Sequence, residues 1–323
     1  MELLENCPVN KTIGDNLVIA YSKINSDKYD KIVCTISGGS DSDVMLDIVY
    51  RCDKDNKVDY VWFDTGLEYQ ATKDHLEQLK EKYNIGIRRE KAQKAIPTCC
   101  KEYGQPFISK NVSEMLYRLQ KHSFNFVDEP YEDLVKKYPN CKGALAWWCN
   151  ANKSIFNIDS NKYLKEFIMA NPPTFPISSK CCTYAKKNLI HKLIKKEGYS
   201  LNISGVRKAE GGIRRTAYKN CFDETENGCD NYRPLFWYTG KDKIDYENHF
   251  SVEHSDCYSI YGMKRTGCSG CPYNREFEEE LRIIQQYEPK LYKMVNTIFG
   301  DSYEYTRKYR EFVKQKREES SKE

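Results

Sequence analysis

The sequence predicts an α/β fold: an open parallel sheet with a helical insertion and a helical C-terminal region. Two strand signals and the helices that follow them carry the prediction. Lys31-Ile32-Val33-Cys34-Thr35-Ile36 has the β-branched enrichment of a core strand, and Asp59-Tyr60-Val61-Trp62-Phe63 repeats it. Val44, Met45, Leu46 and Ile48 suit one face of a helix between them, and residues 70–83 have helical character before a third short apolar stretch, Ile85-Gly86-Ile87. Alternating strand and helix means a parallel sheet with helices on both faces.

The strand rhythm is lost from about residue 92 to 180. Lys110 to His122, Tyr131 to Tyr138 and Lys153 to Ala170 read as helices, with Pro172-Pro173 closing the last. A further helix over 182–197 stops at Gly198, and Ser200-Leu201-Asn202-Ile203-Ser204 reads as a strand delivering Gly205-Val206-Arg207. From Glu276 the chain is helical and charged, with a frayed KQKREESSKE end. The expected organisation is 1–91 as the N-terminal half of a nucleotide-binding domain, 92–180 as a helical insertion, 181–275 as its completion, and 276–323 as a helical tail.

At 323 residues the chain forms about two structural units, or one domain with a large elaboration. An apolar share of 40% with 25 Tyr and 13 Phe excludes a disordered chain, and no apolar run is long enough to cross a bilayer. The start, MELLENCPVNKTIGDNLVIAYSKI, lacks a basic segment followed by an apolar core, so a cytoplasmic protein without a signal peptide or a membrane partner is expected. The net charge of +4 makes no global demand for nucleic acid, and the lysines at 186, 187, 192, 195 and 196 read as a solvated helix face.

The stretch TISGGSDSDVML, residues 35–46, links the first strand to its helix. Such a turn gathers unpaired backbone N–H groups and the positive end of a helix dipole. Gly38 and Gly39 allow close backbone approach, and Ser37, Ser40 and Ser42 add hydroxyl donors, so phosphate is the natural guest. An ordinary loop capped by Ser or Asp would read the same way in isolation. Ligands of parallel sheets bind beyond the carboxyl ends of the strands, where Asp64-Thr65-Gly66 also falls.

Fourteen cysteines in a reducing compartment and a chain of this size do not read as a disulfide framework. Cys181-Cys182 and the Cys268-Ser269-Gly270-Cys271 turn could bring four thiolates to one metal centre. Cys221 and Cys229 with the second motif would give four as well, and spacing favours neither set. Cys34 and Cys52 read as core residues, and Cys99-Cys100 form a second adjacent pair.

SGGSDS, Phe63-Asp64-Thr65-Gly66-Leu67-Glu68, Cys181-Cys182, GVRKAEGGIRR, Arg233-Pro234-Leu235 and GCSGCP, in that order over about residues 30–275, resemble the phosphoadenosine phosphosulfate reductase family of the PP-loop ATP pyrophosphatases. The resemblance implies a Rossmann-like sheet of the adenine nucleotide alpha hydrolase kind. An adenine nucleotide would lie across the strand ends, held by Ser37, Gly38, Gly39, Ser40, Asp41 and Ser42 and bordered by Asp64, Thr65, Gly66 and Gly205. Arg207, with Arg214 or Arg215, would neutralise its phosphate or sulfonate end, while the plain alternative for Arg207 is an ion pair with Glu210. Ser37, Asp41 and Arg207 are the expected catalytic residues. The cysteine pattern is similar to the ligand set of adenylylsulfate reductases and DNA phosphorothioation enzymes, which makes Cys181, Cys182, Cys268 and Cys271 the ligands of a 4Fe-4S cluster in preference to Zn2+.

Two departures from the sulfonucleotide reductases shape the functional expectation. The last cysteine is Cys271, so the C-terminal nucleophilic thiol of the assimilatory enzymes has no counterpart, and SGGSDS retains the form found where ATP is split to AMP and pyrophosphate. The resemblance then implies ATP with Mg2+, adenylation of an acceptor and sulfur transfer. The acceptor is DNA, tRNA or a small metabolite, and Trp147-Trp148 suit either a nucleic-acid face or a core. A sulfur-donor or reductant protein would be a partner. The alternatives are a reductase of adenylylsulfate or its 3'-phosphorylated form, and a non-catalytic nucleotide-binding subunit.

Overall fold

The computed structural model describes residues 10–152, 155–211, 217–226 and 228–321. The chain divides into two units, one of residues 1–93 and 185–268, the other of 94–184 and 269–323. The sheet lies in the first. It has six strands in the order β3-β2-β1-β4-β6-β5: β1 is Ile32–Ile36, β2 Val58–Asp64, β3 Ile87–Lys91, β4 Leu201–Ser204, β5 Phe222–Asp223 and β6 Asp230–Tyr232. All neighbours run parallel except the short β5, which pairs antiparallel with β6.

Both faces of the sheet are covered, as the unbroken apolar run of β1 requires. Ile32, Cys34 and Ile36 point into a core built with the helices Lys11–Ile24 and Ser40–Cys52, while Val33 joins Val61, Leu193 and Tyr199 on the opposite face. Cys34 and Cys52 are thus core residues, and burial pushes the Cys52 thiol up to about 12. The third strand differs from the expected Ile85–Ile87. Asn84 takes the left-handed conformation that ends the preceding helix, and the strand starts only at Ile87 and runs through Arg88, Arg89 and Glu90. An edge strand with one buried residue carries no apolar alternation to read.

The second unit is helical. Its core gathers Phe107, Leu116, Trp148, Phe167 and Tyr305, so the C-terminal helix Pro289–Ser320 shares one core with segments 94–184. The sequence divided these segments into an insertion and a tail; they pack as one unit. Ser302 donates to Pro106 O, a buried hydrogen bond, and Tyr305 to Asn171 O (2.6 Å), a half-buried one, tying the two segments together. Trp147 and Trp148 are 2% and 0% exposed, so of the two readings the core holds and the nucleic-acid face does not. One expectation fails here. The α-helix expected over 153–170 is only Leu164–Ala170, preceded by the turn Ile158–Ser160, because Asn157, Asp159, Ser160 and Asn161 favour turns over helix interior. Among the described residues no helix is long and apolar enough to cross a membrane.

The helix Ser40–Cys52 buries Asp47, whose carboxylate accepts from Tyr83 Oη (2.9 Å), Tyr246 Oη (2.7 Å) and Arg51 Nε (2.6 Å). Tyr246→Phe should therefore cost about 1.5–3 kcal/mol, the range for a hydrogen bond to a buried charge. The urea unfolding midpoint measures it, and a midpoint equal to wild type would refute the anchoring role of this tyrosine.

Candidate functional site

β1 ends at Ile36 and reaches the helix Ser40–Cys52 through Ser37, Gly38 and Gly39. Gly38 has φ +65°, and a Cβ there would come within 2.7 Å of Thr72 Cγ2, so conformation and space both demand glycine. Gly39 is the N-cap and supplies no side chain to the helix start. Another element does so: Ser40 N–H donates to Tyr258 Oη (2.9 Å), whose hydroxyl also lies 2.9 Å from Thr266 Oγ1. Ser42 is buried and accepts the Ser37 N–H (2.9 Å), bracing the loop from within.

β2 and β3 lie on one side of β1 and β4 on the other, so the loop occupies the switch point of the sheet. This is where crevices open beyond the strand ends. β4 delivers Gly205 and Arg207 into the same place. A Cβ on Gly205 would stand 3.3 Å from Asp41 O, and Arg207 Nε donates to Asp41 Oδ2 (2.9 Å). The guanidinium of Arg207 thus pairs with the loop, and its backbone N–H donates to Glu210 (3.4 Å). Arg214 and Arg215 lie outside the described residues.

Beyond β2, Asp64, Thr65 and Gly66 form a tight turn. Gly66 N–H donates to Asp64 Oδ1 (2.9 Å), and Glu68 accepts from the N–H groups of Thr65 (2.8 Å) and Leu67 (3.0 Å) and from the Thr65 hydroxyl. Burial raises the pKa of Glu68. Burial opposes the charge of Asp64 too, but hydrogen bonds from Arg89 and Gly66 outweigh it and hold this carboxyl below the ordinary range.

Residues 31–139 match the family model of the phosphoadenosine phosphosulfate reductase domain. A curated relative, an uncharacterized protein of Methanocaldococcus jannaschii, is 29% identical over 168 residues, covering 50% of this chain and 34% of the relative. The chain therefore spans about a third of the length of the relative it matches. Among solved structures, a phosphoadenylyl-sulfate reductase of Candida auris in a phosphate complex is similar at TM-score 0.41 and 14% identity, covering 83% of this chain and 92% of its own. An NH3-dependent NAD synthetase of Campylobacter jejuni gives 0.39 and 11%, covering 92% and 96%. A U34-tRNA thiolase of Methanococcus maripaludis, solved with its 4Fe-4S cluster, gives 0.38 and 12%, covering 94% and 79%.

The first unit holds a buried polar chain that sequence reasoning missed. Asp43, 1% exposed, lies 2.8 Å from His254 Nδ1 and 3.2 Å from His75 Nε2; His254 Nε2 is 2.8 Å from Glu247 Oε1. Burial alone would lower the pKa of His254, but hydrogen bonds with Asp43 and Glu247 raise it to about 9. Lys243 Nζ stands 2.9 Å from both Glu247 Oε1 and Ser40 Oγ. No motif marks Tyr258, Thr266 or His254. Lys243 had one signal, the Thr239-x-x-Asp242 capping box that starts its helix Gly240–Phe250. A groove of about 490 Å³ near Tyr50, Val58, Tyr60 and Ile87 lies at the amino ends of β2 and β3, at the other end of the strands from this chemistry.

The second unit collects thiols. Cys181 is buried and hydrogen-bonded to Cys100, which pushes its pKa up; a hydrogen bond with Cys182 works the other way, and burial and nearby Cys271 add to the rise. Burial also raises Cys99, to about 11, with Cys182 among its neighbours. Cys182 opens into a π-helical segment, Thr183–Lys187, before the α-helix Asn188–Glu197, where a continuous helix was expected. Such segments are frequent at functional sites. Cys268 belongs to the first unit. Among the described residues, no three His, Cys, Asp or Glu side chains form a group that could hold a metal ion. The rival Cys229 packs against the apolar cluster around Val33 and Val61.

His254 gives a pH signature. Its folded pKa lies above the ordinary 6.5, so its contribution to stability is complete below about pH 6.5 and is lost as pH rises through about 9. The contribution is at most on the order of 3 kcal/mol. In His254→Gln the fall of the urea midpoint across that window should flatten. An unchanged fall would assign the titration to another group.

Proposed function

We propose that the chain is an ATP-dependent enzyme that adenylates an acceptor and then transfers sulfur to it. The observation that carries this reading is the pairing of Arg207, beyond β4, with Asp41, in the glycine loop beyond β1, at the switch point of the sheet. A glycine-lined helix start beside a permanently charged guanidinium suits a polyphosphate.

In the proposed reaction an acceptor oxygen attacks the α-phosphorus of ATP, the bond to the β-phosphate oxygen breaks, and pyrophosphate leaves. A sulfur nucleophile, carried by a donor protein as a persulfide, then displaces AMP from the adenylated acceptor, and a reductant thiol releases the sulfur from its carrier as a disulfide forms. Ser37, Gly38, Gly39, Ser40 and Ser42 would cradle the phosphates, Arg207 would meet the charge on the departing group, and Asp64, Thr65, Gly66 and Gly205 would border the nucleotide. Asp41 Oδ1, buried without a hydrogen-bond partner, fits a magnesium ion brought in on phosphates, which would neutralise their charge. The sequence resemblance, and not a grouping of these side chains in the structure, supports Cys181, Cys182, Cys268 and Cys271 as ligands of an iron-sulfur cluster or zinc, soft donors whose metal would bind the transferred sulfur or hold the site together. The acceptor class proposed is a nucleic acid, DNA or tRNA, reached through a surface other than the buried tryptophans.

Incubation with ATP, Mg2+ and candidate nucleic acids should release pyrophosphate, with AMP following when a persulfide donor and a reductant thiol are added, and Arg207→Ala should lower the rate at least about tenfold, the loss of one charge-assisted contact. The match of residues 31–139 to the reductase domain favours a second reading, sulfonucleotide reduction. Sulfite released from adenylylsulfate or its 3'-phosphorylated form, without pyrophosphate release from ATP, would establish that reading instead. Binding of adenine nucleotide with neither product in the presence of all candidates would identify a non-catalytic subunit.

Anaerobically purified protein should be brown, with about four irons per chain, and Cys182→Ser or Cys271→Ser should remove colour and iron together. A colourless protein with one zinc per chain would replace the cluster by a structural metal.

A further inference from the structure

Lysine side chains at a surface normally carry their ammonium into water. Lys241 does so, with 82% of its side chain exposed, whereas Lys243, on the same helix turn, is 14% exposed and turned inward. The helix that carries it is fixed at both ends of the contact. Thr239 Oγ1 accepts from Asp242 N–H (3.2 Å) and Asp242 Oδ2 accepts from Thr239 N–H (2.8 Å), which sets the first turn. One turn later Tyr246 is bonded to Asp47 of the loop helix. Lys243 Nζ therefore arrives at the start of Ser40–Cys52, 2.9 Å from Ser40 Oγ and 3.5 Å from Asp41 Oδ1.

Asp41 stands between two cations from separate elements, Arg207 on Oδ2 and Lys243 facing Oδ1. Neither cation is saturated by this carboxylate. The Lys243 contact is too long for a strong hydrogen bond, and Arg207 commits Nε to Asp41 while Nη1 reaches Thr239 O only at 3.5 Å. Glu247, the other carboxylate on Lys243, is shared with His254. The arrangement is a pair of cationic arms flanking a helix start, held apart by one carboxylate. Two such arms match two linked phosphates better than a single tetrahedral anion, which one arm and the loop N–H groups satisfy.

We propose that Lys243 is the second arm of a pyrophosphate clamp, working with Arg207 to select a nucleotide with linked phosphates over a single sulfate or phosphate. The inference rests on the reading of the loop as a polyphosphate site.

The test is calorimetric titration of the full chain with inorganic pyrophosphate and, separately, with inorganic sulfate. Lys243→Met keeps the stem and removes the charge; it should weaken pyrophosphate binding about tenfold or more while sulfate binding changes less than about twofold. Lys243→Arg should restore pyrophosphate binding. Arg207→Ala should weaken both anions. If Lys243→Met lowers the unfolding midpoint, Lys243→Gln, which retains a hydrogen-bond donor for Ser40, takes its place. A folded variant that binds pyrophosphate as wild type does, or loses both anions equally, overturns the clamp and leaves the loop as the anion site. A wild-type chain that binds neither anion overturns the clamp and the polyphosphate reading together.

Discussion

The helix that begins at the glycine loop buries two of its own carboxylates, and the first unit is arranged around satisfying them. An unpaired buried carboxylate costs several kcal/mol, so each needs partners, most of them from other elements. Asp47 is met by Tyr83 from the third helix of the sheet layer, by Tyr246 from the helix Gly240–Phe250 and by Arg51 one turn on. Asp43 Oδ2 is met by His254 Nδ1 (2.8 Å), with His75 Nε2 3.2 Å away. These partners come from segments separated by as much as two hundred positions, so satisfying two side chains fixes three layers against the loop. The loop can then be rich in glycine and polar residues and still be held in one conformation.

The same requirement explains the polar chain behind the loop. His254 carries charge because two carboxylates face it, and Glu247 is held below the ordinary carboxylate range because hydrogen bonds from His254 and Lys243 outweigh its burial. Stability and electrostatics are coupled at this place. The groups that anchor the helix also set the charge at its first turn, where an anion would sit. Tyr258 completes the start of the helix by accepting the Ser40 N–H, a role the absent side chain of Gly39 leaves open.

The second unit follows a different logic. A cluster of aromatic side chains joins the long C-terminal helix to residues 94–184, and Tyr303 donates to Gly270 O within the cysteine turn. Gly270 has φ +61°, and a Cβ there would come within 2.7 Å of the Tyr303 hydroxyl, so the turn and the helix require each other. Cys271 is among the neighbours that raise the pKa of Cys181, behind the hydrogen bond of Cys181 with Cys100.

What the sequence determined by itself was local or periodic. The β-branched run of β1, the glycines that permit the turn after it, the helix over 70–83 and the Gly205-Val206-Arg207 delivery after β4 all follow from short-range sterics and burial. Those signals, in order, carried the resemblance to the phosphoadenosine phosphosulfate reductase family, whose domain model matches residues 31–139. The tertiary structure decided what depends on distant partners. Arg207 pairs with Asp41 and not with neighbouring Glu210, Cys100 meets Cys181 across some eighty positions, and the tryptophans face a core. Lys243, His254 and Tyr258 were invisible for the same reason: a lysine, histidine or tyrosine acquires a role only from the groups placed around it, and no spacing within its own segment records them.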